Sequence, residues 1–126
     1  MADSVTSQTL VDGERNVVMK FTNISDATGE SAVLKVDVST LSGAPTSVKI
    51  TKIEYDISGM AVNILWDATT DLTAIVLSAG QNTLDFSDIG GLINNAGAGV
   101  TGDINFSTIL AGASDTYSII LHMKKS

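Results

Sequence analysis

Cysteine is absent from the 126-residue chain. Its absence excludes disulfides, thiolate metal sites and cysteine nucleophiles, so stability has to come from packing and backbone pairing. Histidine occurs once, at His122, and proline once, at Pro45. A lone histidine without cysteine cannot assemble a zinc site, and no G-x-S-x-G or comparable motif sets a hydroxyl and a carboxylate around it. Basic side chains are scarce as well: seven stand against fourteen acidic ones, a net charge of −7. Such a balance repels phosphate backbones and anionic headgroups, which argues against nucleic acid or a membrane surface as a partner. No apolar run approaches the roughly 18 residues of a membrane span. The opening "MADSVTSQTL" lacks the basic and apolar regions of a secretion signal, so the expectation is a soluble protein exported by no signal of its own. Aromatic rings are few, with one Trp, two Tyr and three Phe. That number is small for a sugar-lined groove or a glycosidase cleft.

Against the scarcity of Glu, Lys, Arg and Gln stands an abundance of Val, Ile, Thr, Ser and Gly, the composition of strands joined by tight turns. Period-two alternation recurs along the chain. In "RNVVMKFTN" Val17, Met19 and Phe21 take one face, and in "SAVLKVDVS" Ala32, Leu34, Val36 and Val38 do. The turn-rich "ISDATGES" between these two runs predicts a hairpin. In "SVKITKIEYDIS" the inward set passes from Val48 and Ile50 to Ile53, Tyr55 and Ile57, a slip that predicts a β-bulge near Thr51 and Lys52. "AVNILWD" directs Val62, Ile64 and Trp66 inward, "NTLDFSD" Leu84 and Phe86, and "GDINFST" Ile104 and Phe106. "LTAIVLS" is a further short strand, and "DTYSIILHMKK" sends Tyr117, Ile119, Leu121 and Met123 to one face with His122 and Lys124 on the other.

With a run around residues 5–11, this gives eight or nine short strands and an all-β, single-domain antiparallel β-sandwich or jelly roll over residues 1–126, with residues 1–10 partly an extended arm. The expected core comprises Val17, Met19, Phe21, Leu34, Val36, Trp66, Phe106, Tyr117, Ile119 and Leu121. Trp66 shares the phase of Val62 and Ile64, so it reads as core rather than as a sugar-stacking platform.

Two stretches invite a functional reading. Asp67, Asp71, Asp85 and Asp88 could meet at one end of a sandwich and hold calcium through oxygen, but their spacing matches no calcium loop and turn-forming Asp is the simpler reading. "GGLINNAGAGVTGDINFS" places Gly97, Gly99 and Gly102 in the spacing G-x-G-x-x-G. A pyrophosphate fingerprint needs a helix opening from these glycines, whereas Asp103, Ile104, Asn105 and Phe106 read as a strand. No cofactor, metal or catalytic residue is therefore expected. The segment is instead longer than a hairpin requires, which predicts a partner contact made by Gly90, Gly91, Leu92, Ile93, Asn94, Asn95, Gly97, Gly99 and Val100. As a free loop it should tolerate shortening with little loss of stability.

The run "RNVVMKFTNISDATGESAVLKVDVSTLSGAPTSVKITKIEYDISGMAVNILWDATTD", continued by "LDFSDIGGLINNAGAGVTGDINFST" and "DTYSIILHMKKS", resembles small virion-type proteins of tailed bacteriophages, many from aquatic hosts. The resemblance covers most of the chain, from about Arg15 onward, and brings no catalytic motif. It implies a non-enzymatic structural protein, a capsid decoration or cement protein of the head shell, made in the host cytoplasm and located in the virion. Its implied partners are the major capsid protein or other virion proteins and further copies of itself, as a trimer or dimer. A tail, neck or fibre component and a carbohydrate- or surface-binding module are the alternative readings.

Overall fold

The computed structural model describes residues 4–26, 32–41, 43, 45, 47–94, 97–109 and 112–125. Two antiparallel sheets face each other. The first has five strands in the order β1 (Ser4–Asp12), β2 (Asn16–Asp26), β9 (Ala113–Lys125), β4 (Val48–Ser58) and β7 (Gly80–Asp85). The second has four, in the order β3 (Val33–Val36), β8 (Ile104–Ile109), β5 (Ala61–Trp66) and β6 (Leu72–Leu77). Two single 3-10 turns, Val38–Thr40 and Ser87–Ile89, are the only helical elements among the described residues. None is long and apolar enough to cross a membrane. The architecture is the expected β-sandwich.

Alternation dictates what each sheet buries. Val17, Met19 and Phe21 of β2 lie opposite Met123, Leu121 and Ile119 of β9, and all six are buried. The facing sheet contributes Val62, Ile64, Trp66, Ile104 and Phe106. Across the interface the Phe106 ring meets Phe21 edge-on at 5.1 Å and Tyr117 at 6.0 Å between centroids. Both geometries favour contact between the positive edge of one ring and the negative face of another. The expected bulge in β4 is present: the register against β9 shifts between Ile50 and Lys52, and the Thr51 hydroxyl donates to the His122 carbonyl at 3.0 Å.

Two expectations fail. β2 and β3 form no hairpin, because β1 and β9 already occupy both sides of β2, and the chain crosses to the other sheet, where β3 pairs with β8. Turn-rich sequence looks the same whether the chain doubles back in one sheet or steps to the facing one; residues 27–31 of that segment lie outside the described residues. Leu34, placed in the core by its alternation, is instead 49% exposed. A bulge between Leu34 and Val36 flips the phase within this four-residue strand. Lys35 is thereby buried, its Nζ 5.9 Å from the Phe106 ring centroid, while its apolar stem covers the core edge.

The segment expected partly as an arm forms the edge strand β1 from residue 4 onward, paired to β2 alone. The side chains of residues 6–11 are exposed on both of its faces. Lys125 ties down its end: the ammonium bonds the Asp12 carboxylate and the Gly13 carbonyl.

Candidate functional site: the glycine-rich loop and the groove beneath it

The chain between β7 and β8 does not hang free. As β7 leaves β4, the Phe86 amide donates to the Thr51 carbonyl at 2.8 Å, and a 3-10 turn carries the backbone outward. It then returns to the same sheet. The Leu92 amide donates to the Ile50 carbonyl at 2.7 Å and the Ile50 amide to the Leu92 carbonyl at 3.1 Å, so Leu92 resumes the β4 ladder on the far side of the bulge. Gly91 makes this possible. Its φ is +101°, and a Cβ there would lie 3.2 Å from the Ile50 carbonyl oxygen and 3.3 Å from Lys49 Cβ.

A second fastening follows at Thr69, whose amide donates to the Ala98 carbonyl at 3.1 Å. Gly99, at φ +78°, crosses so close to Thr69 that any Cβ would collide with its hydroxyl. A third joins the loop to the start of the β5–β6 turn. The Thr101 amide donates to the Asp67 carbonyl at 3.1 Å, and the Asp67 amide to the Asp103 carbonyl at 3.0 Å.

The carboxylates at this end serve those fastenings. Asp67 accepts from the Thr101 hydroxyl at 2.7 Å and, through its other oxygen, from Asn105 Nδ2 at 3.1 Å. Asp71 accepts from the Ala68 amide at 3.1 Å and from the same Asn105 nitrogen at 3.3 Å. Asp85 is in the other sheet, opposite Lys52, and Asp88 is exposed in a 3-10 turn. Among the described residues no three His, Asp or Glu side chains converge as metal ligands. The glycines at 97, 99 and 102 lead into strand β8 rather than a helix.

The expected contact residues therefore divide. Gly91 is buried, and Leu92 is half-buried against the core. Asn94 is half-buried, while Gly90, Gly97 and Gly99 are exposed; Asn95 lies outside the described residues. Ile93 (58%) and Val100 (48%) present apolar surface outward. Sequence reasoning missed Ile89, 69% exposed, and Leu72 of β6 across the gap. Between β6 and residues 89–93 runs a groove of about 450 Å³ floored by Trp66 and lined by Leu72, Ala74, Ile89, Leu92 and Ile93. A signal for this side exists in the sequence: no charge occurs between Asp71 and Asp85, or between Asp88 and Asp103.

A second, polar depression of about 540 Å³ lies on the outer face of the five-stranded sheet, over Lys20, Glu54, Asp56, Gln81 and Thr83. His122 is beside it, its Nε2 3.2 Å from Glu54 Oε1, with Lys52 Nζ 3.3 Å from the same oxygen. The Lys52 hydrogen bond, followed by the Lys52 charge and His122, holds the Glu54 carboxyl below its usual 4.5 despite some opposing desolvation. A carboxyl whose folded pKa is depressed stabilises the fold above its unfolded pKa and loses that contribution as pH falls through the folded value. Glu54→Gln should thus lower the melting temperature slightly at neutral pH and make its decline below about pH 4.5 shallower. Thermal melts of both proteins across that range check this, and parallel acid branches would refute the pairing.

No protein-family model matches the chain, and no curated protein matches it. Solved structures similar to it include a cupin superfamily protein from Desulfitobacterium hafniense, at 18% identity and a TM-score of 0.39, covering 99% of this chain and 80% of that one. A cupin domain from Bordetella pertussis matches at 12% identity and a TM-score of 0.35, covering 100% and 97%. A family 11 carbohydrate-binding module from Clostridium thermocellum matches at 13% identity and a TM-score of 0.31, covering 99% and 84%.

Proposed function

We propose that the protein is a non-enzymatic structural component of a tailed-phage virion, a decoration or cement protein that seats on the head shell. The observation that carries this reading is the uncharged side built by β6 and residues 89–93. In a chain of net charge −7, Leu72, Ile89 and Ile93 are exposed around a groove over Trp66 that no charged side chain lines. Clustered exposed apolar side chains of this kind mark interaction sites, and the fastening of the segment through Ile50, Thr69 and Asp67 lowers the ordering cost of binding. The resemblance of the sequence to phage virion proteins supplies the class of partner, and repetition over a symmetric shell lets modest individual contacts hold.

The aromatic arrangement weighs against the sugar-binding alternative. Trp66, Phe21, Phe106 and Tyr117 are buried, and Tyr55 and Phe86 are half-buried against the core, which leaves no ring exposed as a stacking platform.

The test is co-sedimentation with head shells stripped of this protein. The wild-type chain should pellet with the shells, and Ile89→Asp combined with Ile93→Asp should weaken that association at least about tenfold, since burying each isoleucine is worth roughly 1.5–3 kcal/mol. Both side chains are exposed, so melting should be unchanged. Wild-type protein that stays in the supernatant, or a double variant that binds equally well, overturns the reading.

A further inference from the structure

We propose that the polar depression on the outer face of the five-stranded sheet is a binding site for a small zwitterion, a molecule of the amino-acid or short-peptide class that carries both an ammonium and a carboxylate. It shares no lining residue with the groove beside β6, so the inference stands apart from the proposed seat on a shell.

Register gives the depression its shape. Outward-facing residues of paired antiparallel strands line up in rows across a sheet, and two such rows bound it. Lys20, Ile120, Glu54 and Thr83 make one, on β2, β9, β4 and β7 in turn, while Ser118, Asp56 and Gln81 make the other. The trough between them crosses three strand spacings, about 14 Å. Its volume of about 540 Å³ falls within the roughly 300–1,000 Å³ of small-molecule pockets.

Opposite charges occupy different places along this trough. At β4, Glu54 and Asp56 stand in opposite rows, two positions apart on one strand and so about 7 Å apart along it. Lys20 is at the β2 end, two strand spacings or about 10 Å from Glu54 across Ile120. Among the described residues, neither the Lys20 nor the Asp56 side chain makes an ion pair or hydrogen bond. Glu54 is held from the side away from Asp56. Lys52 and His122 both bond its Oε1, so Oε2 keeps its capacity to accept. The carboxylates at the β5–β6 end show the contrast: Asp67, Asp71 and Asp103 all accept from protein donors, at Thr101, Ala68, Asn105 and Val38.

Charge selects the occupant. An anion alone would meet two carboxylates, and a cation alone would leave Lys20 unmatched. A molecule with both seats its ammonium between Glu54 and Asp56 and its carboxylate on Lys20. The half-buried Ile120 gives the connecting atoms an apolar floor, and Ser118, Thr83 and Gln81 offer hydroxyl and amide groups to an intervening peptide group.

Glycylglycine, titrated at neutral pH into isotope-labelled protein, should shift the backbone amide resonances of Ser118, Ile120 and Thr83 and saturate in the millimolar range. Acetylating its amine or amidating its carboxylate should each weaken binding about fivefold, the upper range for an exposed charge pair. Lys20→Met should abolish the difference between glycylglycine and its amide while keeping the difference from the acetylated form, and Asp56→Asn should narrow the second difference while keeping the first. Neither side chain has a partner to lose, so the melting temperature of both variants should match that of the parent. The absence of a saturable shift up to tens of millimolar overturns the proposal. So do equal affinities for the three probes, or a discrimination that survives both substitutions. The purified chain suffices for every arm, so failure to bind shells leaves the outcome intact.

Discussion

Trp66→Ala is expected to lose about 3–5 kcal/mol of stability, the range for deleting a fully buried aromatic ring. Trp66 is 1% exposed and stands between Ile104 of β8 and Leu72 of β6, so the cavity left behind is bounded by strands on both sides that the ladder holds apart. Collapse around the gap is thereby limited, which places the loss toward the upper part of the range. A domain of this size has roughly 5–15 kcal/mol in total, so the variant should be close to its folding limit. Urea titration followed by far-ultraviolet circular dichroism measures the loss. A value below about 1 kcal/mol would mean that the indole sits at the surface. The same ring lines the groove beside β6, so any of this variant that remains folded should also test the proposed seat by losing shell binding.

Replacing residues 92–100 by a short Gly-Ser turn is expected to destabilise the fold by about 3–4 kcal/mol. Viewed as sequence, this stretch is a loop that tolerates shortening, since closure entropy changes by only about 0.6 kcal/mol per doubling of length. The structure reverses that expectation. The deletion removes both hydrogen bonds between Leu92 and Ile50 and the bond from Thr69 to Ala98, each worth about 1 kcal/mol net. It also removes the half-buried Leu92 side chain, about another 1 kcal/mol. Gly99→Ala should show part of the effect alone, through its positive φ and the collision with Thr69. Thermal melts of the shortened chain and of Gly99→Ala check both; a shortened chain as stable as the parent would show that the fastenings carry no load.

What the sequence reveals follows from what alternation can report. β2, β5 and β9 each bury one face beneath the other sheet, so Val17, Phe21, Ile64, Trp66, Ile119 and Leu121 fall where period two puts them, and the slip near Thr51 is visible as a change of phase. β3 defeats the same reasoning, because a bulge inside four residues leaves too few positions on either side to establish a phase, and Lys35 enters the core edge where Leu34 was expected. Partner choice between strands is not written in alternation at all, which is why the β2–β3 hairpin was a natural but incorrect expectation. The groove beside β6 was only partly legible. The length and glycine content of residues 90–102 drew attention to this segment, but the inward turn of Leu92 and the position of Ile89 beside β6 depend on the bridge to Ile50, a pairing across more than 40 positions of the chain.

The place of β9 in the five-stranded sheet governs the order in which the molecule can assemble. It lies between β2 and β4, with Phe21 against Ile119 on one side and Ile53 against Leu121 on the other. Until residues 113–125 leave the ribosome, β1 and β2 form one isolated ribbon and β4 and β7 another, and neither has the central strand that unites them. Closure of that sheet is therefore a late, non-local event, the kind that makes β-sandwiches fold in milliseconds to seconds rather than microseconds. Until then the edges that β2 and β4 offer to β9 are unfilled, and unpaired edges of that kind before closure favour aggregation.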